Sequence, residues 1–261
     1  MTTAACRHSR RAPLWEVENV AKRRTVLTAR NARQSPKSHL ASSFSRLNSR
    51  IAFVRSQAAE QLGTTGGRRA IPLLERRMMD RSAEVRMRVV EALGTLTSGT
   101  HGALASALTD TDELVRLQAA ESIEKRAGVR TLSTLRLALR DPSPLVRSYV
   151  AAAIGRAGAK RDRALLRARA RSESSDTARL GFYEGLWLLG GRNVLIRAMR
   201  LLNSRDYRVR SATARALATT FRTHHTQHAI IVSLRNRLRR ERTNAVRQAL
   251  SESLHALGHN D

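Results

Sequence analysis

The chain has a single cysteine, Cys6, in 261 residues, together with five prolines, four lysines and only 3% aromatic side chains. One cysteine excludes an internal disulfide framework and any four-cysteine zinc site. It points to a reducing compartment, and a cytoplasmic location is the expectation. No run approaches 18 apolar residues, so no membrane-spanning helix is expected. The N-terminal stretch lacks the apolar segment of a secretory signal, and Glu16 and Glu18 argue against a transit peptide. Acidic residues are also few: 21 Asp and Glu stand against 48 Lys and Arg, a formal net charge of +27. A preponderance of arginine over lysine can arise from GC-rich coding, so the net charge carries the information rather than the ratio.

What is present suits packed helices. Hydrophobic residues make up 41% of the chain, enough for a core, and Ala, Leu and Arg dominate. A valine–arginine pair recurs at Val54-Arg55, Val85-Arg86, Val115-Arg116, Val146-Arg147, Val209-Arg210 and Val246-Arg247, with Ala178-Arg179 filling the remaining slot. The spacings are 31, 30, 31, 32, 31 and 37 residues. Self-similarity at a fixed period marks a solenoid. Three residues before six of these slots stand Ser82, Asp112, Ser143, Ser175, Asp206 and Thr243, all residue types that cap helix N-termini. Pro144 follows Ser143 at the first helical position, where its missing N–H costs nothing.

Each unit therefore reads as two helices. The second buries a stripe such as Val85, Val89 and Leu93, or Val146, Val150 and Ile154. Gly94 and Gly155 are expected to close those helices. The first helix carries Ile71, Leu74 and Met78, or Leu132, Leu135 and Leu139. One pair cannot bury both stripes, so neighbouring units must stack. Residues 1–37 lie outside the repeat and are expected to be basic and mostly disordered, with one helix predicted within Pro13 to Arg33. Residues 38–261 are expected to form the solenoid, ending in an expanded capping repeat with a long basic helix from about His224 to Arg240.

The stretches DRSAEVRMRVVEALG, DTDELVRLQAAESIE and DPSPLVRSYVAAAIG resemble HEAT repeats in the short form found in phycobilin-lyase-type proteins. The resemblance covers roughly residues 50 to 258 and implies an all-α fold, a right-handed α-solenoid of about six to seven helix pairs. It also implies a ladder between adjacent repeats, made by an acid in the turn and the arginine six residues later: Asp80 and Arg86, Asp110 and Arg116, Asp141 and Arg147. Glu173 and Glu241 occupy the same position before Arg179 and Arg247, whereas Ser49 and Ser204 depart from it, which puts the ladder in doubt beside Arg55 and Arg210. The first helices would line the convex surface and the second helices the concave one.

Sorted by helix, the first helices carry a summed charge of +18 and the second helices +4. The ladder does not account for this excess. Arg76, Arg77, Arg136, Arg140, Arg163, Arg167, Arg171, Arg197, Arg200, Arg235 and Arg239 are the candidates for contact with a polyanion, and Arg163, Arg167 and Arg171 form one ridge at spacing four. Aromatic residues are not interleaved with them, so backbone contact is favoured over base stacking.

Signals for chemistry are sparse. No histidine is followed by glutamate, as it is in the metal-dependent HEAT enzymes of the deoxyhypusine hydroxylase type, and no cofactor is implied. His224 and His228 share a helix face without a third ligand. In GFYEGLWLLGG, Phe182 and Tyr183 take core positions, and Trp187 is the candidate hot spot for a protein partner. The resulting expectation is a non-enzymatic scaffold for protein–protein interaction. Binding of nucleic acid or another polyanion through the first helices is the alternative, and a bilin-lyase-like enzyme the remote one.

Overall fold

A computed structural model of the chain describes residues 36–96, 99–126, 131–158 and 160–258. The expected N-terminal helix within Pro13 to Arg33 lies outside the described residues. Fourteen α-helices and no strand occur among those described, in a right-handed α-solenoid of seven helix pairs. The first helices of the pairs are α1 (Pro36–Leu47), α3 (Ile71–Arg77), α5 (His101–Ala107), α7 (Leu132–Ala138), α9 (Arg163–Ser172), α11 (Leu195–Arg200) and α13 (Gln227–Leu238). The second helices are α2 (Ala52–Thr65), α4 (Ala83–Thr95), α6 (Glu113–Arg126), α8 (Pro144–Arg156), α10 (Asp176–Leu188), α12 (Tyr207–Thr219) and α14 (Asn244–Ala256). The second helices pack on one another in sequence and form an inner row, while each first helix packs chiefly on its own partner and forms an outer row.

The core runs between the rows. Val85, Val89, Leu93, Val146, Val150 and Ile154 are fully buried, as are Leu74, Leu135 and Leu139 from the outer helices. Each such side chain contributes about 1.5–3 kcal/mol by leaving water. The outer helices are short, because several begin as a 3-10 turn, such as Gly67–Ala70 and Arg192–Val194. The predicted long helix from His224 to Arg240 is likewise confined to Gln227–Leu238.

Gly94 and Gly155 do not close their helices, contrary to the reading of the sequence. Both lie inside, and the inner row needs them bare. A Cβ on Gly94 would stand 2.4 Å from Ser122 Oγ, and one on Gly155 would stand 2.5 Å from the Gly185 Cα. These small residues let α8 approach α10, and α4 approach α6, to near backbone contact. The left-handed position after a helix is taken instead by residues such as Gly158 (φ +73°) and Gly190 (φ +86°).

The caps and the ladder turn out to be one device. Ser82, Asp112, Ser143, Ser175, Asp206 and Thr243 all stand immediately before the inner helices. Only Asp112, Ser143 and Asp206 accept a hydrogen bond from the first turn with their own side chains. The ladder acid does the rest. Asp80 accepts from the backbone N–H of Ser82 at 3.0 Å, Asp110 from Asp112 at 2.8 Å, Asp141 from Ser143 at 2.8 Å and Glu241 from Thr243 at 2.9 Å. The same carboxylate is gripped by the arginine of the preceding repeat. Arg86 donates Nε and Nη2 to Asp110, each at 2.8 Å, and Nη1 to the carbonyl of Asp80 at 2.8 Å. Arg116 holds Asp141 and Arg147 holds Glu173 in the same way.

Each of these three arginines therefore reaches forward to the acid of the next repeat and back to the carbonyl of its own. This corrects the doubt about Arg55 and Arg210. Ser49 and Ser204 precede them, but the acids they need are Asp80 and Glu241, and both forks are formed at 2.7–3.1 Å. The rung that Ser204 removes is the one Arg179 would have used. Arg179 turns Nε to the Glu173 carbonyl and Nη1 to Asp176, and Ser204 Oγ donates to the same Asp176.

Candidate functional site

Two surfaces remain once the ladder is accounted for: an inner groove and an arginine-rich outer edge. The inner row is tightly stacked from α2 to α10 but opens between α10 and α12. Glycines on α10 draw it against α8: a Cβ on Gly181 would stand 2.2 Å from the Ser148 carbonyl oxygen. No rung ties α10 to α12. The result is a groove of about 510 Å³ crossing α8, α10 and α12, with Leu145, Tyr149, Leu180, Glu184, Arg208 and Arg215 among its walls. Leu145 is exposed within it, whereas Tyr149 is half-buried.

Glu184 sits at the groove floor. It accepts a hydrogen bond from Thr220 Oγ1 at 3.0 Å. Burial pushes its carboxyl above the ordinary range; the Thr220 bond and the Arg156 charge oppose that shift, and the Glu124 charge adds to it. Burial also raises the Tyr149 phenol, helped by Glu121 and Glu124. The reading of the sequence did not single out Glu184. Its signal was available: one carboxylate inside the apolar run GFYEGLWLLGG.

Trp187 is not a surface hot spot. It is 4% exposed, its ring centroid lies 5.3 Å from that of Phe221, and the Arg192 guanidinium covers it at 4.3 Å. An indole at this point fills the joint between α10 and α12, where no rung is available, and Arg192 shields its remaining edge.

The ladder carboxylates are structural charges. For Asp80, Asp110 and Glu173, burial pushes the carboxyl up, but the arginine fork and the backbone N–H bonds outweigh it and leave each below the ordinary carboxylate range. Glu241 is driven furthest down against the same burial, because Arg210 and Arg237 both bond it.

On the outer row the predicted arginines divide. Arg136 is not available for a polyanion: it forks onto Asp162 at 2.8 and 3.0 Å. Arg77 bonds Asn48, and Arg235 is half-buried in α13. Arg76, Arg140, Arg163, Arg167, Arg171, Arg197, Arg200 and Arg239 are exposed, and no ion pair to any of them occurs among the described residues. Of these, Arg171, Arg197 and Arg200 come together around a single cavity. No group of three or more metal-ligating side chains occurs among the described residues, and His224 and His228 are exposed near the start of α13. No described helix is long and apolar enough to cross a membrane.

Comparison with known proteins agrees with this architecture. A sequence profile of HEAT repeats matches residues 44–106 and 102–187. No curated protein sequence matches the chain. Among solved structures, the complex of CpcE and CpcF of phycocyanin lyase from Nostoc sp. PCC7120 is similar at 17% identity and a TM-score of 0.61, over 86% of this chain and 95% of that one. The Escherichia coli protein YibA is similar at 19% identity and a TM-score of 0.51, over 97% and 89% of the two chains. At such identities the likeness concerns the fold alone.

Proposed function

The chain belongs to the HEAT-repeat family, and from that premise we propose that it is a non-enzymatic scaffold whose inner groove holds a protein partner. The observation that carries this reading is the groove across α8, α10 and α12. Its walls mix apolar side chains, Leu145, Tyr149 and Leu180, with charges of both signs, Glu124, Glu184, Arg208 and Arg215. Apolar side chains interspersed with charges of both signs are the composition of a polypeptide-binding surface. The length of the groove, three helices wide, suits a helix or an extended segment. A photo-crosslinking side chain at Leu145 should capture a protein from the native cellular extract, and one at Ile196 on the outer row should not. Nuclease treatment should leave the capture unchanged. Equal capture at both positions, or loss of capture on nuclease treatment, would remove the groove from the account.

A second reading is favoured by the exposed ridge of Arg163, Arg167 and Arg171 on α9. Such a ridge suits the phosphate backbone of a nucleic acid. It requires affinity for duplex DNA or RNA that falls steeply with salt. Replacing the three arginines by glutamate should abolish that affinity without unfolding the chain.

A further inference from the structure

One crevice between two outer helices and the inner helix they flank differs from its counterpart elsewhere in the solenoid. Between α9, α10 and α11 lies a cavity of about 540 Å³ walled by Arg171, Asp176, Arg179, Arg197, Arg200 and Ser204. Four arginines and one acid leave its charged walls at +3. The acid is already engaged, since Asp176 accepts from Arg179 and from Ser204. Arg171, Arg197 and Arg200 make no hydrogen bond or ion pair among the described residues. This is the joint where Ser204 replaces a ladder acid, so the cavity is the space beside the missing rung. At the joint between α3 and α5, where the rung is intact, the corresponding cavity has Glu75, Asp80 and Asp110 against Arg86 alone, a charge of −2.

We propose that the cavity at the missing rung is a socket for a phosphomonoester carried on a protein side chain. The ligand takes the place of the ladder carboxylate and brings more charge than a carboxylate could. One carboxylate would neutralise a single arginine, whereas a phosphoryl group carries about −1.5 to −2 and three acceptor oxygens. Several guanidiniums lining one cavity suit such a group. A backbone phosphodiester carries one charge and lies flush with its strand, so it suits an open ridge better than a recess. A smaller adjoining cavity of about 250 Å³, which shares Arg171 and Arg197 and is walled by Tyr183 and Leu186, offers room for the residue next to the phosphorylated one. The socket is separate from the inner groove and does not depend on it.

The test uses the full chain and a short fluorescent peptide with one phosphoserine between neutral residues, followed by anisotropy. The phosphopeptide should bind at least about tenfold more tightly than its unphosphorylated and Glu-substituted forms, and inorganic phosphate should displace it. Ser204→Asp supplies the missing carboxylate to Arg179. It should raise the thermal midpoint by about 3 °C and weaken phosphopeptide binding about tenfold. The double variant Arg197→Ala with Arg200→Ala, on an exposed helix face, should weaken binding equally with the midpoint unchanged. Equal affinity for phosphorylated and unphosphorylated peptides would overturn the proposal, as would binding that survives Ser204→Asp. Duplex DNA that binds without any phosphopeptide binding would also overturn it, while leaving the arginine ridge reading standing.

Discussion

The joint between α4 and α6 and the joint between α10 and α12 use the same sequence slots and reach opposite solutions. At the first, Arg86 grips Asp110, and the crevice beside it is acidic. At the second, Arg179 has no acid ahead of it, the helices stand further apart, Trp187 and Phe221 fill the space between them, and the crevice is basic. One arginine fork seals a joint and spends its charge. Where that acid is missing, the arginines nearby are left uncompensated, and the outer cavity, acidic at the intact joint, is basic. Irregularity in a repeat protein is thus where surface becomes available for binding.

The largest effect is expected from breaking the second joint. Trp187→Ala should cost about 4 kcal/mol in urea unfolding, since it empties the space that Trp187 fills against Phe221 at that joint. A cost below about 1 kcal/mol would show that Trp187 is not the pin there. At the first joint, Asp110→Ala should cost about 3 kcal/mol, because Arg86 is left largely buried without its partner. Arg179→Ala, measured in the same way, should cost under about 1 kcal/mol, since its pair with Asp176 is about one-third exposed. Equal costs for those two variants would erase the distinction between the joints.

Gly155→Ala should cost about 2 kcal/mol by overpacking, because the added methyl meets backbone rather than a flexible side chain. The pH dependence separates the joints further. Asp80, Asp110, Glu173 and Glu241 titrate below their ordinary values when folded, so the native state binds fewer protons than the unfolded chain. Their contribution is complete above the unfolded values near about pH 4 and is lost as pH falls through the folded ones, at about 1.4 kcal/mol per rung for each unit of separation. Asp110→Asn should flatten this acid slope by one rung, whereas Ser204→Asp should steepen it. The smallest effect is expected at Arg88, whose pair with Glu91 is well exposed; Arg88→Ala should change stability by about 0.5 kcal/mol or less.

Much of the fold was legible because it rests on local periodicity. The valine–arginine register, the cap residues and the apolar stripes are all short-range patterns, and each falls where the helices form. The ladder was half legible. The residue types and their spacing were visible, yet the acid belonging to each arginine lies 24 to 31 residues ahead. The gap at Ser204 was therefore assigned to Arg210 rather than to Arg179. Trp187 was misplaced for a related reason: its burial depends on Phe221 in the next unit and on Arg192 folding back over it. Glu184 was visible as a charge in an apolar run, but its placement at a groove floor follows from the spacing of α8, α10 and α12.

Sequence alone determined that this chain is a stack of helix pairs with its excess positive charge concentrated on the first helices, because side-chain periodicity and capping act within one or two turns of the backbone. Tertiary structure decided which arginines are spent and which are free. That choice depends on the acid delivered by the next repeat, and only stacking brings the two within hydrogen-bond reach.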